Sequence, residues 1–464
     1  MAVRHALCKV RAARISTGRV AFGAVLALVP FAAAAVDGSV LLTPQVASGP
    51  HEVGLVVGDA AADRIEALFL KYDPAYPENF AARERRFDAL AERLFARAAR
   101  GHDERCSQQI FLEAKWLLGY TAWWSRLDTR LDELEASFAV ADQSFAAGPS
   151  PDDGFYGRCA TEMFIRVEDT LVNYFELAER GEVPTVEREP LEVLRDAKKM
   201  TSIFEALLIS DIPETGEDYR SRLGGAASIL AAFDKRDPVM EMARTTVRGP
   251  DLTPEQQAEL RAQFNHLVDW WQDPESGYWG AWYRDGERVF KTADLSITYH
   301  VVHARRGEVR HWPELIETTF AIREQAYPFG WLSDGHWTDH NNYDLARLFR
   351  YAWPHMSDPQ RQEAARTLQE MIDWSFEESV QPDYRGFRAD PELSSSLGAT
   401  FYFGASFLVA AGFFDLEPWY GAIQRPARPR DVCLGMIDYG GTLDGPMVAG
   451  GLRKLERACE PHLP

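Results

Sequence analysis

Between Pro254 and Ala411 the chain repeats one rhythm. A stretch with apolar residues at helical spacing is followed by a loop rich in aromatic residues, and then by another helical stretch. The helices are expected over 254–271, 292–306, 311–324, from Asp339 onward, 360–377 and 393–411. The loops SGYWGAWYRDG, YPFGWLSDGHWT and PDYRGFRADPE separate them, and the unit recurs at about 50 residues. Helical hairpins packed side by side satisfy such a period, because each buries its apolar face on the next. Upstream, helices are expected from about Ala61, over 76–100, within 108–145, and over 161–180, 190–209 and 220–234. Gly-, Pro- and Asp-rich loops such as GPSPDDGFYG and DIPETGED join them. Strand-like alternation is sparse. The expectation is an all-α chain, an α/α toroid over residues 61–415, with a helical domain carrying a small C-terminal β part as the rival. The tail 416–464, with DYGGTLDGPMVAGG, reads as irregular or short strand packed on the toroid.

The N-terminus has a different character. Arg4, Lys9, Arg11, Arg14 and Arg19 precede the apolar run Val20–Val29, which Pro30 ends, and Ala32–Ala35 follow. This order matches a secretory signal peptide over 1–35, with a retained anchor as the alternative. An extended leader over 36–60 would follow. The expected location is the periplasm or outside the cell, with no stable membrane insertion after signal removal. Four cysteines would remain, Cys106, Cys159, Cys433 and Cys459, and export permits disulfides. A Cys433–Cys459 loop would tie down the C-terminus, but three pairings are open.

The whole chain carries a formal charge of −20, and loss of the signal's five basic residues makes it about −25. Nucleic acid is therefore not an expected partner, since phosphate binding wants a basic surface. Lys291, Arg347, Arg350, Arg385 and Arg388 could still make a local basic floor. No residue pattern sets an oligomeric state.

The densest chemistry lies in DHNNYDLARLFRYAWPHM, residues 339–356. On a helix, His340, Asp344, Arg347 and Tyr351 share one face, while Leu345, Leu348, Phe349 and Ala352 can pack inward. Asn341 or Asn342 could bond a substrate carboxylate; alternatively Thr338, Asp339 or Asn341 caps the helix. Arg347 could hold a carboxylate in a bidentate pair, or form a salt bridge to Asp344. Asp344 could orient the His340 ring.

Seven of the eleven histidines fall between His266 and His355. In the helix expected over 292–306, Tyr299 and His303 stand one turn apart. Tyr299 could transfer a proton if a cation lowers its pKa, or be a core residue with a satisfied hydroxyl. His300 could likewise be a core histidine, and Asp294 a carboxylate catalyst. His336 and His340, with Asp334, Asp339 or His303, could bind a metal, but HWTDH lacks the glutamate of HExxH. No metal is expected.

Trp282, Tyr283, Trp331 and Trp337 fall in the loops. Planar side chains there can stack on sugar C–H faces, or pack loop layers on the core. Tyr384, Arg385 and Arg388 in the next loop could extend a cleft.

The hairpin rhythm and aromatic loops resemble the α/α-toroid enzymes of carbohydrate metabolism. WTDHNNYD is similar to segments of alginate and glucuronan lyases, which use an Asn/His pair, an Arg and a catalytic Tyr. The resemblance implies β-elimination in a uronate polymer, an acidic polysaccharide, without a cofactor. It implies that His340, Asn341 or Asn342, and Arg347 meet the carboxylate, with Tyr299 transferring the proton and Tyr343 and Tyr384 as competitors for that role. An inverting glycoside hydrolase is the rival, drawing two carboxylates from Asp294, Asp339, Asp344, Asp390 and Glu392. A noncatalytic saccharide-binding envelope protein is the third reading.

Overall fold

A computed structural model describes residues 51–100, 124–139, 197–220, 253–333, 335–388, 397–443 and 446–463, with isolated positions between them. The expected signal, most of the leader, the helix at 161–180 and most of that at 220–234 lie outside the described residues. So do the GPSPDDGFYG loop, Cys106, Cys159, Asp334, Asp390 and Glu392.

The described chain is mostly helical, with one small sheet. Strand β1 (His51–Val56) leads into α1 (Asp59–Tyr72), α2 (Tyr76–Ala98), α3 (Trp124–Ser137) and α4 (Ala197–Leu208). Then come β2 (Ile209–Ser210), α5 (Pro254–Trp271), β3 (Trp282–Asp285) and β4 (Arg288–Thr292). The rest is helical: α6 (Leu295–Ala304), α7 (Trp312–Ala321), α8 (Asp339–Ala352), α9 (Asp358–Trp374), α10 (Leu397–Ala410), α11 (Pro429–Gly440) and α12 (Pro446–Cys459). The helices expected from residue 254 to 411 are thus in place. Their starts follow local chemistry. Thr253 and Ser357 form capping boxes with Gln256 and Gln360, Asp294 accepts from the Ile297 amide, and Thr338 accepts from the Asn341 amide.

The sheet, in order β1-β4-β3-β2, corrects the sequence reading in two places. Part of the leader is a strand, pairing in parallel with β4. The stretch WYRDGERVFKT, read partly as loop and partly as helix start, is an antiparallel hairpin. Gly286 turns the hairpin at a φ of 63°, which suits a residue without Cβ. The β component is therefore not C-terminal.

The tail is the third correction. It is two helices, α11 and α12, joined by a Cys433–Cys459 disulfide across a separation of 26 residues. Its glycines misled the reading because they are close-approach residues. A Cβ on Gly440 would stand 2.6 Å from the Phe401 ring and the Leu452 side chain, and one on Gly451 3.3 Å from the Phe401 ring and the Tyr402 Cα. Small residues let α12 settle against α10 despite their helix-propensity cost of up to about 1 kcal/mol each.

Two apolar cores result among the described residues. The smaller joins α2 and α3 through Phe87, Leu90, Leu94, Leu127 and Leu131. The larger gathers the sheet and α5 to α12. Helix α10, LGATFYFGASFLVA, is apolar on nearly every side, as suits a helix with neighbours around it. It packs against both α8 and α12.

Candidate functional site

One face of α8 supplies His340, Tyr343, Asp344, Arg347 and Tyr351, separated by three or four residues so that they line up along the helix. Three neighbouring helices complete the surroundings. Helix α6 brings Tyr299 and His303, α10 brings Tyr402, Phe403 and Ser406, and α12 brings Lys454.

Lys454 is the centre of this group. Its Nζ donates to the hydroxyls of Tyr402 at 2.7 Å, Ser406 at 2.9 Å and Tyr343 at 3.3 Å. It also lies 4.0 Å from the Tyr402 ring centre and 4.9 Å from that of Tyr343. Among the described residues no carboxylate pairs with it. Burial, and then the charge of Arg347, push its pKa down to about 7.

Arg347 shows the same lack. It does not form the expected ion pair with Asp344. Its Nη2 donates to His303 Nδ1 at 2.9 Å and to the Tyr351 hydroxyl at 3.4 Å, while among the described residues its Nε has no hydrogen-bond partner. Since a guanidinium can only donate, His303 Nδ1 must accept, which places the imidazole proton on Nε2. The Tyr351 hydroxyl closes the triangle, 3.0 Å from the same nitrogen.

Tyr299 is buried and its hydroxyl bonds that of Tyr343, which also engages Tyr402. Burial, more than any charge, raises Tyr299 well above the usual phenol range. The expectation that a cation would lower it is therefore corrected: desolvation outweighs the pull of Arg347. Tyr343 is shifted up less, because Arg347 and the Tyr299 hydroxyl oppose its burial.

His340 is half-buried at the start of α8. Its ring lies 4.1 Å from that of Phe403, and its Nε2 is 3.8 Å from Asp344. Asp344 is buried, and desolvation raises its pKa well above the carboxylate range; its Oδ1 lacks a hydrogen bond. The two asparagines part ways. Asn341 is committed to structure, since its side-chain amide donates to the Trp331 carbonyl at 3.0 Å. Asn342 is wholly buried, and among the described residues neither amide atom has a partner.

The loop aromatics do not join this cluster as a stacking platform. Trp331 is fully buried against Phe349 and Phe320, and Trp337 is half-buried against the core. Trp282 lies on β3 with the Lys291 ammonium 4.8 Å from its ring centre. Lys291 also stands 3.9 Å from Asp273. Tyr283 is buried and donates to Asp218 at 3.1 Å. Burial raises Asp218 to about 7 despite that bond.

Asp294 and His300 belong to the same interior. Arg220 pairs with Asp294, and burial followed by the charge of Arg220 drives His300 down to about 4, so it is neutral near pH 7. Asp339 bonds Ser375 and Ser379 of a π-helical turn, and its burial lifts it to about 6. His336 is exposed in its turn. Among the described residues no group of three or more His, Cys, Asp or Glu is placed to hold a metal ion.

The last loop sits apart. Tyr384 and Arg388 line a groove of about 540 Å³ with Phe376, Glu377 and Arg425. Arg385 is exposed and bonds Asp438 at 2.9 Å. None of the Lys454 and Arg347 cluster lines that groove.

Lys454, Tyr402 and Ser406 were missed by sequence reasoning. A signal existed. Tyr402 and Ser406, four residues apart, mark one polar stripe on an otherwise apolar α10, and Lys454 stands beside the buried stripe Val448, Gly451, Leu455 and Cys459. Reading the tail as loop removed the helix that makes this visible.

No protein-family model, curated protein or solved structure matches the chain. Among the described residues, no helix is long and apolar enough to cross a membrane.

Proposed function

We propose that the protein is a polysaccharide lyase that cleaves a uronate-containing polysaccharide by β-elimination. One observation carries this reading: Arg347 and Lys454 are two largely buried cations, neighbours in the same cluster, and among the described residues neither has a carboxylate partner. Buried charge is costly when unpaired, so such a pair favours an anionic ligand that supplies the missing charge. A uronate carboxylate fits the guanidinium fork of Arg347.

Elimination then needs a base for the C5 proton and an acid for the leaving oxygen. With a pKa near 7, Lys454 holds a substantial neutral fraction and can accept a proton. The hydroxyls of Tyr402, Tyr343 and Tyr299 are hydrogen-bonded to one another or to Lys454, and give a route for returning a proton to the glycosidic oxygen. Arg347 stabilises charge that grows on the carboxylate as C5 is deprotonated. Tyr299 is thus a relay behind Tyr343 rather than the group that meets substrate.

The hydrolase reading finds less support. Asp294 is tied to Arg220, Asp339 to two serines, and Asp344 is buried beside His340. A toroidal arrangement of the helical hairpins, and export to the periplasm or beyond, belong to the same proposal. The Cys433–Cys459 bridge supports an oxidising compartment.

The test is to incubate the protein with alginate, glucuronan and neutral glucans. Elimination gives new ultraviolet absorbance from the conjugated unsaturated uronate. New reducing ends without that absorbance would overturn the reading in favour of hydrolysis.

A further inference from the structure

We propose that Lys454 is also a nucleophilic amine site, condensing with aldehydes or ketones that carry a carboxylate. An amine that must attack a carbonyl needs a free electron pair, and a carboxylate neighbour would hold it as ammonium. Lys454 has three hydroxyl neighbours instead, Tyr402, Ser406 and Tyr343, and among the described residues no acidic partner. Among the described residues, the charged or titratable groups that meet it are Arg347 and Tyr343 on α8 and Tyr402 on α10, with Tyr299 on α6 behind Tyr343. Burial disfavours the ammonium form, and the charge of Arg347 does the same.

The same neighbours suit the chemistry. Nζ forms a bond to the carbonyl carbon as the C=O pair moves onto oxygen, giving a carbinolamine after proton transfer. The nitrogen lone pair then forms C=N as the C–O bond breaks, and the oxygen leaves as water after taking a proton. The Tyr402 and Tyr343 hydroxyls are within hydrogen-bond reach of Nζ to move those protons. No oxidant or reductant is needed. Arg347 supplies the carboxylate preference, as a fixed fork with an unpartnered Nε. This does not depend on the lyase reading, since an imine can form at this amine whether or not a polysaccharide is cleaved.

The probe is glyoxylate, with sodium cyanoborohydride to trap the imine at neutral pH, followed by peptide mapping for the carboxymethyl mass. The exposed Lys71 serves as reference. The expected result is labelling of Lys454 at least about tenfold faster than Lys71, whose ammonium is paired with the Asp285 carboxylate. Acetaldehyde, which lacks a carboxylate, should label Lys454 more slowly than glyoxylate, and Arg347→Gln should erase that preference. Labelling of Lys454 no faster than Lys71 overturns the nucleophile, and equal rates with the two aldehydes in the unaltered protein overturn the carboxylate preference. Both readouts come from the unaltered chain and stand even if Arg347→Gln does not fold. A protein that is labelled but cleaves no uronate polymer keeps this proposal and loses the lyase.

Discussion

The ammonium of Lys454 on α12 reaches the Tyr402 hydroxyl on α10 at 2.7 Å, so the last helix of the chain supplies the central group of a site otherwise built on α6, α8 and α10. This contact sets a pH dependence. Burial lowers the folded pKa of Lys454 from 10.5 to about 7, so between those values the unfolded chain binds more protons than the folded one. Stability from this residue therefore rises with pH across that window, and the cost of holding a buried ammonium is fully present below it. Lys454→Met removes the titration. Its stability relative to the unaltered protein should be greatest near pH 6 and shrink toward pH 10, measured by urea unfolding at several pH values. A difference that is flat with pH would mean the amine titrates normally.

Arg347→Gln should reduce turnover of a uronate polymer by about 10²–10³-fold, the usual loss when a charge-stabilising donor is removed from a reacting centre. Arg347→Lys should recover only part of it, because an ammonium lacks the bidentate fork. Steady-state kinetics decide. If turnover is unchanged and only KM rises, Arg347 binds substrate without acting on the transition state.

Helix existence was legible because apolar periodicity is local. The helices at 254–271 and from Asp339 lie where the spacing and the caps at Thr253 and Thr338 place them. The α8 face was legible for the same reason: His340, Asp344, Arg347 and Tyr351 need only helical geometry to align. What lay beyond local pattern was partnership. Arg347 stands three residues from Asp344, a spacing that suits an ion pair, yet its Nη2 bonds His303 from α6. Trp331 looked like a loop platform because its neighbours are Gly, Ser and Asp, but the loop folds back and buries it under Phe349. Lys454 was hidden because Gly450 and Gly451 suggest a turn, whereas here they are the clearance that lets α12 approach α10.

Asn342 leads to a stability prediction. It is fully buried, and among the described residues neither its carbonyl oxygen nor its amide nitrogen has a hydrogen bond. A buried unsatisfied polar group costs about 1–3 kcal/mol. Asn342→Leu, close in volume, should therefore raise the unfolding free energy by about 1 kcal/mol or more, read from the denaturant midpoint. A loss of stability would show that the amide is satisfied in solution.

The disulfide carries the last prediction. Cys433 on α11 and Cys459 on α12 close a loop of 26 residues, and the chain-entropy account assigns such a loop about 3–4 kcal/mol. The Cys433→Ser and Cys459→Ser double variant should lose stability of that order. Its more specific consequence concerns Lys454, which lies between the two bridged positions, five residues before Cys459. The bridge ties the end of α12 to α11, while the packing of α12 on α10 runs through Gly450, Gly451 and the Lys454 hydrogen bonds further up the helix. Fraying of its C-terminal turns should loosen the ammonium from Tyr402 and Ser406 and return its pKa toward the solution value. The double variant should then lose uronate-cleaving activity at temperatures where circular dichroism still reports a folded protein. Activity that persists until global unfolding would show that packing alone holds Lys454 in place.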